Sequence, residues 1–105
     1  MTGARARYST PGYRLRDDRQ RLDKWLWHAR VVKARTSAAA LVTSGHVRIN
    51  GVRETSPGHG VKAGDVLTIA LDRNVRVLRV TAFAERRGDA TSARALYDEL
   101  DGGAR

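Results

Sequence analysis

A change of hydrophobic period at Gly45 constrains this fold more than any other feature. Upstream, Leu22, Trp25, Leu26, Ala29 and Val32 recur at the i, i+3, i+4, i+7 spacing of one buried helical face. Downstream, Val47 and Ile49 flank Arg48, which is the alternation of a half-buried strand. Between the two, Thr36 or Ser37 can cap a second helix running through Ala38, Ala39, Ala40, Leu41 and Val42, and Gly45 supplies its stop. A turn over residues 33–35 joins the helices. Asn50-Gly51 is the signature of a type I′ hairpin, with Val52 opening the return strand.

Beyond the hairpin, residues 56–60 read as a loop and residues 62–65 as a turn. Strands are expected over 66–71 and 75–83, connected around 72–74. Residues 86–90 break the pattern. Thr91 or Ser92 can then cap a last short helix in which Ala93, Leu96, Tyr97 and Leu100 share a face. Two helices followed by a meander of strands predict an α+β fold. With 105 residues the chain has room for one domain and a single small core of roughly 65 to 80 residues.

Charge is distributed unevenly. Residues 1–53 carry 12 basic and 3 acidic side chains, whereas residues 54–105 carry 8 of each, so the whole net charge of +9 lies in the first half. An anionic polymer is the partner class such a surface suits. Residues 1–20 hold Arg5, Arg7, Arg14, Arg16 and Arg19 with little apolar surface, and they are expected to form a disordered basic arm. The chain has no cysteine, which removes thiolate nucleophiles and thiolate metal sites. The absence of an apolar run of about 18 residues, and of a secretory h-region, predicts a soluble cytoplasmic protein with no membrane partner.

Binding a polyanion needs cations at phosphate spacing. Arg21 and Lys24 fall one turn apart at the first helix, Lys33 and Arg35 lie in the inter-helix turn, and Arg48 sits on the hairpin strand. A phosphate beside Arg35 would also meet the start of the second helix, where Thr36 and Ser37 either take part in binding or simply cap. Trp27 points away from the face that claims Trp25. It is either a platform for an unpaired base or packing beneath the C-terminal helix near Leu96 or Tyr97. Asn50 is a turn residue first and a weaker binding candidate. Asp23 reads as a partner of the helix dipole or of a neighbouring arginine. No catalytic constellation, metal-ligand spacing or cofactor loop is visible, so no catalytic residue, metal or cofactor is expected.

The run Arg21-Leu22-Asp23-Lys24-Trp25-Leu26, then Lys33, Arg35-Thr36-Ser37-Ala38, Leu41-Val42, Gly45, Val47 and Asn50-Gly51, resembles the RNA-binding domain named after ribosomal protein S4. Trp25 and Trp27, with the later Glu85-Arg86-Arg87-Gly88 and Ala95-Leu96-Tyr97, make the chain similar to the ribosome-associated heat shock protein 15 family. The resemblance implies an S4-like (alpha-L) fold: two N-terminal helices packed on a small antiparallel sheet, and a short C-terminal helix. It divides the chain into an arm over 1–20, the S4-like domain over 21–84 and a C-terminal extension over 85–105. Ala39 and Ala40 stand where the family often has a basic and a polar residue, and Thr36 and Asp89 also depart from its pattern.

The resemblance also implies a task. The expected partner is large-subunit ribosomal RNA, with peptidyl-tRNA as a second contact left open, in rescue of stalled subunits under heat stress. The protein is expected to be a non-enzymatic monomer. The alternatives are a general RNA-binding or ribosome-assembly factor, and behind it a targeting fragment of an RNA-modifying enzyme. DNA ranks after RNA as a ligand.

Overall fold

A computed structural model describes residues 19–100 of the chain. In order, the elements are β1 (Arg19–Arg21), α1 (Leu22–His28), α2 (Arg35–Thr43), β2 (Val47–Ile49), β3 (Val52–Arg53), β4 (Gly60–Lys62), β5 (Val66–Ala70), β6 (Val75–Val80), α3 (Ala90–Arg94) and β7 (Tyr97–Leu100). Five strands form one antiparallel sheet in the order β3-β2-β5-β6-β7, and β1 pairs with β4 in a separate two-stranded sheet. The α+β architecture follows the expectation. One core joins Trp25 and Leu26 of α1, Ala38 and Val42 of α2, and the inward residues Val47, Ile49, Leu67, Ile69, Leu78 and Val80 of the sheet.

The first helix is shorter than its apolar stripe. It ends at His28 because Arg30 turns left-handed (φ 61°). Arg30 N–H donates to the Trp27 carbonyl and Val31 N–H to that of Leu26, a Schellman closure that satisfies two terminal carbonyls. Ala29 is still buried, while Val32 lies in the connector and packs against the core only partly. An arginine seldom holds this conformation. Here its Nη1 is fastened to the Gly88 carbonyl at 2.8 Å, so tertiary contact supports the local strain.

The second helix is capped two or three residues earlier than its hydroxyls suggest. Ala34, extended at φ −132° and ψ 147°, occupies the cap position and offers no side-chain acceptor. Thr36 and Ser37 therefore sit inside the first turn, not at the cap. The helix closes as expected on Gly45 (φ 84°), again through a Schellman pair, Gly45 N–H to Val42 and His46 N–H to Leu41. Asn50 and Gly51 both have positive φ (52° and 86°), as the type I′ turn requires, and Ile49 pairs with Val52 across it.

Asn50 also anchors the hairpin to the sheet. Its Nδ2 donates to Asp65 Oδ1 at 3.1 Å, and its Oδ1 accepts from Val66 N–H at 3.0 Å. Asn50→Ala is expected to lower stability by about 1–3 kcal/mol, since it leaves the Val66 donor and one oxygen of the buried Asp65 short of a partner. An unchanged urea midpoint would show that water replaces the amide freely.

Two strands were not legible locally. The basic arm was expected to run through residue 20, yet Arg19–Arg21 pairs with Gly60–Lys62, which also turns the end of the expected 56–60 loop into strand. Gln20 is buried, and a side chain at Gly60 would lie 3.3 Å from Arg19 Cβ, so glycine permits the close approach. Residues 1–18 and 101–105 fall outside the described residues, as does most of the expected arm.

At the other end, α3 is capped by Asp89, whose Oδ1 accepts from Ser92 N–H at 2.8 Å, and not by Thr91 or Ser92. Ala93 and Leu96 are buried, but Tyr97–Leu100 leaves the helix and adds β7 to the edge of β6. Arg76 fixes that strand through two 2.8 Å hydrogen bonds to Glu99. Pairing with β6 wins there because it completes the sheet's hydrogen bonds and supplies partners for cations on β6.

Candidate nucleic-acid interface

Asp23 organises the cationic face. Arg21 is the last residue of β1 and the cap of α1, with extended backbone, rather than a helical residue one turn before Lys24. From there its Nε and Nη2 reach the two oxygens of Asp23, each at 3.0 Å. Arg35, first in α2, brings its Nη2 to 3.7 Å from Asp23 Oδ1. The Asp23 side chain is 6% exposed, against 53% for Arg21 and 42% for Arg35. One buried carboxylate thus fastens the starts of both helices and leaves two arginines facing water with a net positive charge.

Burial alone would raise the Asp23 pKa, but the hydrogen bonds and charge of Arg21, then the charge of Arg35, hold it below the usual carboxylate value. The same happens at Asp65, where burial is outweighed by bonds from Lys62 and Asn50. A depressed folded-state pKa adds stability above the unfolded value of about 4, and that stability is lost as pH falls through the lowered value. Asp23→Asn should therefore be less stable than wild type at neutral pH and lose less on acidification below about pH 4. Parallel stability-against-pH curves for the two proteins would contradict this.

Lys24 is half-buried on α1 and Lys33 exposed on the connector. Among the described residues neither has a carboxylate within ion-pair distance. Thr36 and Ser37 are exposed beside Arg35. Ser37 and Ala38 N–H both donate to the Ala34 carbonyl, and the N–H groups of Arg35 and Thr36 have no acceptor among the described residues. The first turn of α2 thus gathers free N–H groups, two hydroxyls and a guanidinium, a combination suited to a phosphate. Arg21, Lys24, Lys33, Arg35, Thr36 and Ser37 belong to this one helix-pair region.

Three other candidates lie elsewhere. Arg48 alternates with the buried Val47 and Ile49, so its side chain leaves the sheet on the side opposite the helices. Asn50 has both side-chain polar atoms occupied within the fold. Trp27 is half-buried, tilted 40° against His28 at 5.3 Å, with the Arg87 guanidinium 6.0 Å from its ring. The ring that meets Tyr97 is Trp25, edge-on at 6.4 Å.

Spacing also passed over Arg87, whose Nε donates to the Trp27 carbonyl at 3.1 Å while Arg30 returns to Gly88. These reciprocal bonds brace the connector that carries Lys33. Nothing local signals them, because they join residues about 60 apart in the chain.

The S4 domain profile matches residues 20–67, the stretch that holds both helices and the Asn50-Gly51 hairpin, and this places the chain among S4-type RNA-binding domains. A heat shock protein 15 homolog of Aeromonas salmonicida is 40% identical over 81 residues, covering 77% of this chain and 61% of the relative. The small ribosomal subunit protein uS4 of Methylobacterium radiotolerans is 36% identical over 72 residues, covering 60% of this chain and 35% of that protein. The chain spans about three fifths of the length of the first of these curated relatives. The trimeric structure of heat shock protein 15 from Vibrio cholerae superposes with a TM-score of 0.76 at 32% identity, covering 82% of this chain and 86% of that one. The chain belongs to the heat shock protein 15 family. Among the described residues no helix is long and apolar enough to cross a membrane.

Proposed function

We propose that this chain is a non-enzymatic, cytoplasmic RNA-binding protein that docks its helix-pair face on ribosomal RNA of the large subunit. The observation that carries the reading is the Asp23 clasp. It holds Arg21 and Arg35 at the entrances of both helices, beside the first turn of α2 and beside Lys24 and Lys33, which have no ion-pair partner among the described residues. Fixed guanidinium groups lose less freedom on meeting phosphate than mobile ones, so the clasp favours binding. Membership of a family named for heat shock, and similarity to a ribosomal protein, support a ribosomal RNA target under heat stress. We take the target to be stalled large subunits retaining peptidyl-tRNA.

Co-sedimentation tests this. Preference for free large subunits carrying peptidyl-tRNA over empty ribosomes and small subunits is the expected result. Equal pelleting with all particles would favour a general RNA-binding or assembly factor, the reading that similarity to uS4 also fits. We expect one copy per subunit. The Vibrio cholerae relative is a trimer, so light scattering of the free protein decides whether the binding unit is a monomer.

A further inference from the structure

We propose that the domain carries a second, separate phosphate-binding cleft on the outer face of its five-stranded sheet, built by Arg48 and Arg53, and that it bridges two RNA segments. The inference rests on the RNA-binding reading above and adds a site to it. Arg48 and Arg53 are direct partners across the hairpin. Because Ile49 and Val52 flank the two-residue turn and Glu54 N–H donates to the Val47 carbonyl, Arg48 and Arg53 form the non-hydrogen-bonded pair between them. Cα atoms in such a pair stand about 4.5 Å apart, with their side chains on one face and as close as strands allow.

Two like charges so placed repel each other, and among the described residues no carboxylate stands between them. Among the described residues neither arginine has a carboxylate partner, whereas Arg76 and Arg79 on β6 pair with Glu99 and Asp98. Arg48 has only a long 3.4 Å bond to the Gly51 carbonyl. The Arg53 side chain lies over the end of α2, where a Cβ on Gly45 would come within 3.4 Å of its Cδ. A cation there offsets the negative end of that helix. One arginine suffices for that purpose, and the second is left with no structural task.

Both line a cleft of about 450 Å³ with Ser44, His46, Thr68 and Val75. The two arginines thus share the cleft with the hydroxyl residues Ser44 and Thr68 and the 39% exposed Val75. That chemistry suits a phosphodiester with its ribose laid on the strand surface. The helix-pair face and this cleft lie on opposite sides of the sheet, since Val47 and Ile49 point to the helices and Arg48 away from them. One RNA segment too short to wrap the domain cannot fill both.

The test uses the full chain and a short RNA hairpin labelled in two batches, with donor and with acceptor dye. Wild type should bind two hairpins and give energy transfer at intermediate protein concentration. R48E/R53E should bind one hairpin, give no transfer and show a smaller salt slope, by roughly 1.5 to 2 in log K per log salt. R48K/R53K should retain transfer. Should the reversal impair folding, R48Q/R53Q, checked by far-UV spectrum, carries the same expectation. Transfer that persists in folded R48E/R53E, as self-association of copies would give, overturns the cleft. So does loss of all binding in that variant, which would mean one continuous face. Failure of wild type to bind any hairpin would overturn the RNA reading and this inference together, a result distinct from both.

Discussion

Trp25→Ala is expected to lower unfolding free energy by about 3–5 kcal/mol, the range for removing a large aromatic side chain from a packed core. Trp25 is fully buried, packs with Leu22, Leu26, Val61 and Phe83 in one cluster, and meets Tyr97 edge-on. Its Nε1 donates to the Ala82 carbonyl at 3.1 Å, so truncation also removes the partner of a half-buried acceptor. A domain with about 80 described residues has a total stability of roughly 4–12 kcal/mol. The variant should therefore lose from about a quarter to all of the domain's stability. Trp25→Phe should lose less, because it keeps most of the ring and forfeits the hydrogen bond. Equal urea midpoints for wild type and Trp25→Ala would mean that the helix face is misassigned.

Lys24→Glu with Lys33→Glu is expected to weaken RNA binding on the order of 100-fold at low salt, and to reduce the salt slope by about 2, with the far-UV spectrum unchanged. These two are the cleaner choice for charge reversal. Neither has an ion-pair partner among the described residues, whereas Arg35→Glu would set a carboxylate against Asp23 and confuse loss of contact with loss of fold. Filter binding across a salt series reads both numbers. Unchanged affinity in a folded variant would remove the helix-pair face from the account.

What could be read from the chain and what could not divide along the range of the interactions. The α1 stripe, the Gly45 stop and the Asn50-Gly51 turn are local, and each needs only its own few residues to satisfy its backbone. The early end of α1 is not local. Arg30 is held left-handed by Gly88, 58 residues away, and no residue type at that position announces it. Ala93, Leu96, Tyr97 and Leu100 fit a helical face by spacing, yet Tyr97 is the partner of Val80 and Leu100 that of Val77, so an open sheet edge overrode the helical period.

The site divides in the same way. The cations were visible as charge, but charge carries no direction. Asp23 was legible as a partner for an arginine, though not as the residue that ties Arg21 to Arg35, because α2 meets α1 only in the folded chain. Arg48 is legible as a hairpin-strand residue, and the alternation with Val47 and Ile49 already directs it away from the helices. With Ala34 at the cap position, Thr36 and Ser37 fall inside the first turn of α2, which their residue types alone do not reveal.

The most direct test of the central claim is to cross-link the protein to RNA in heat-stressed cells and sequence both sides of each adduct. The account predicts peptides containing Lys24, Lys33 or Arg35 joined to large-subunit ribosomal RNA, with tRNA adducts beside them. Adducts dispersed over messenger or small-subunit RNA, or absent from the helix-pair peptides, would contradict it.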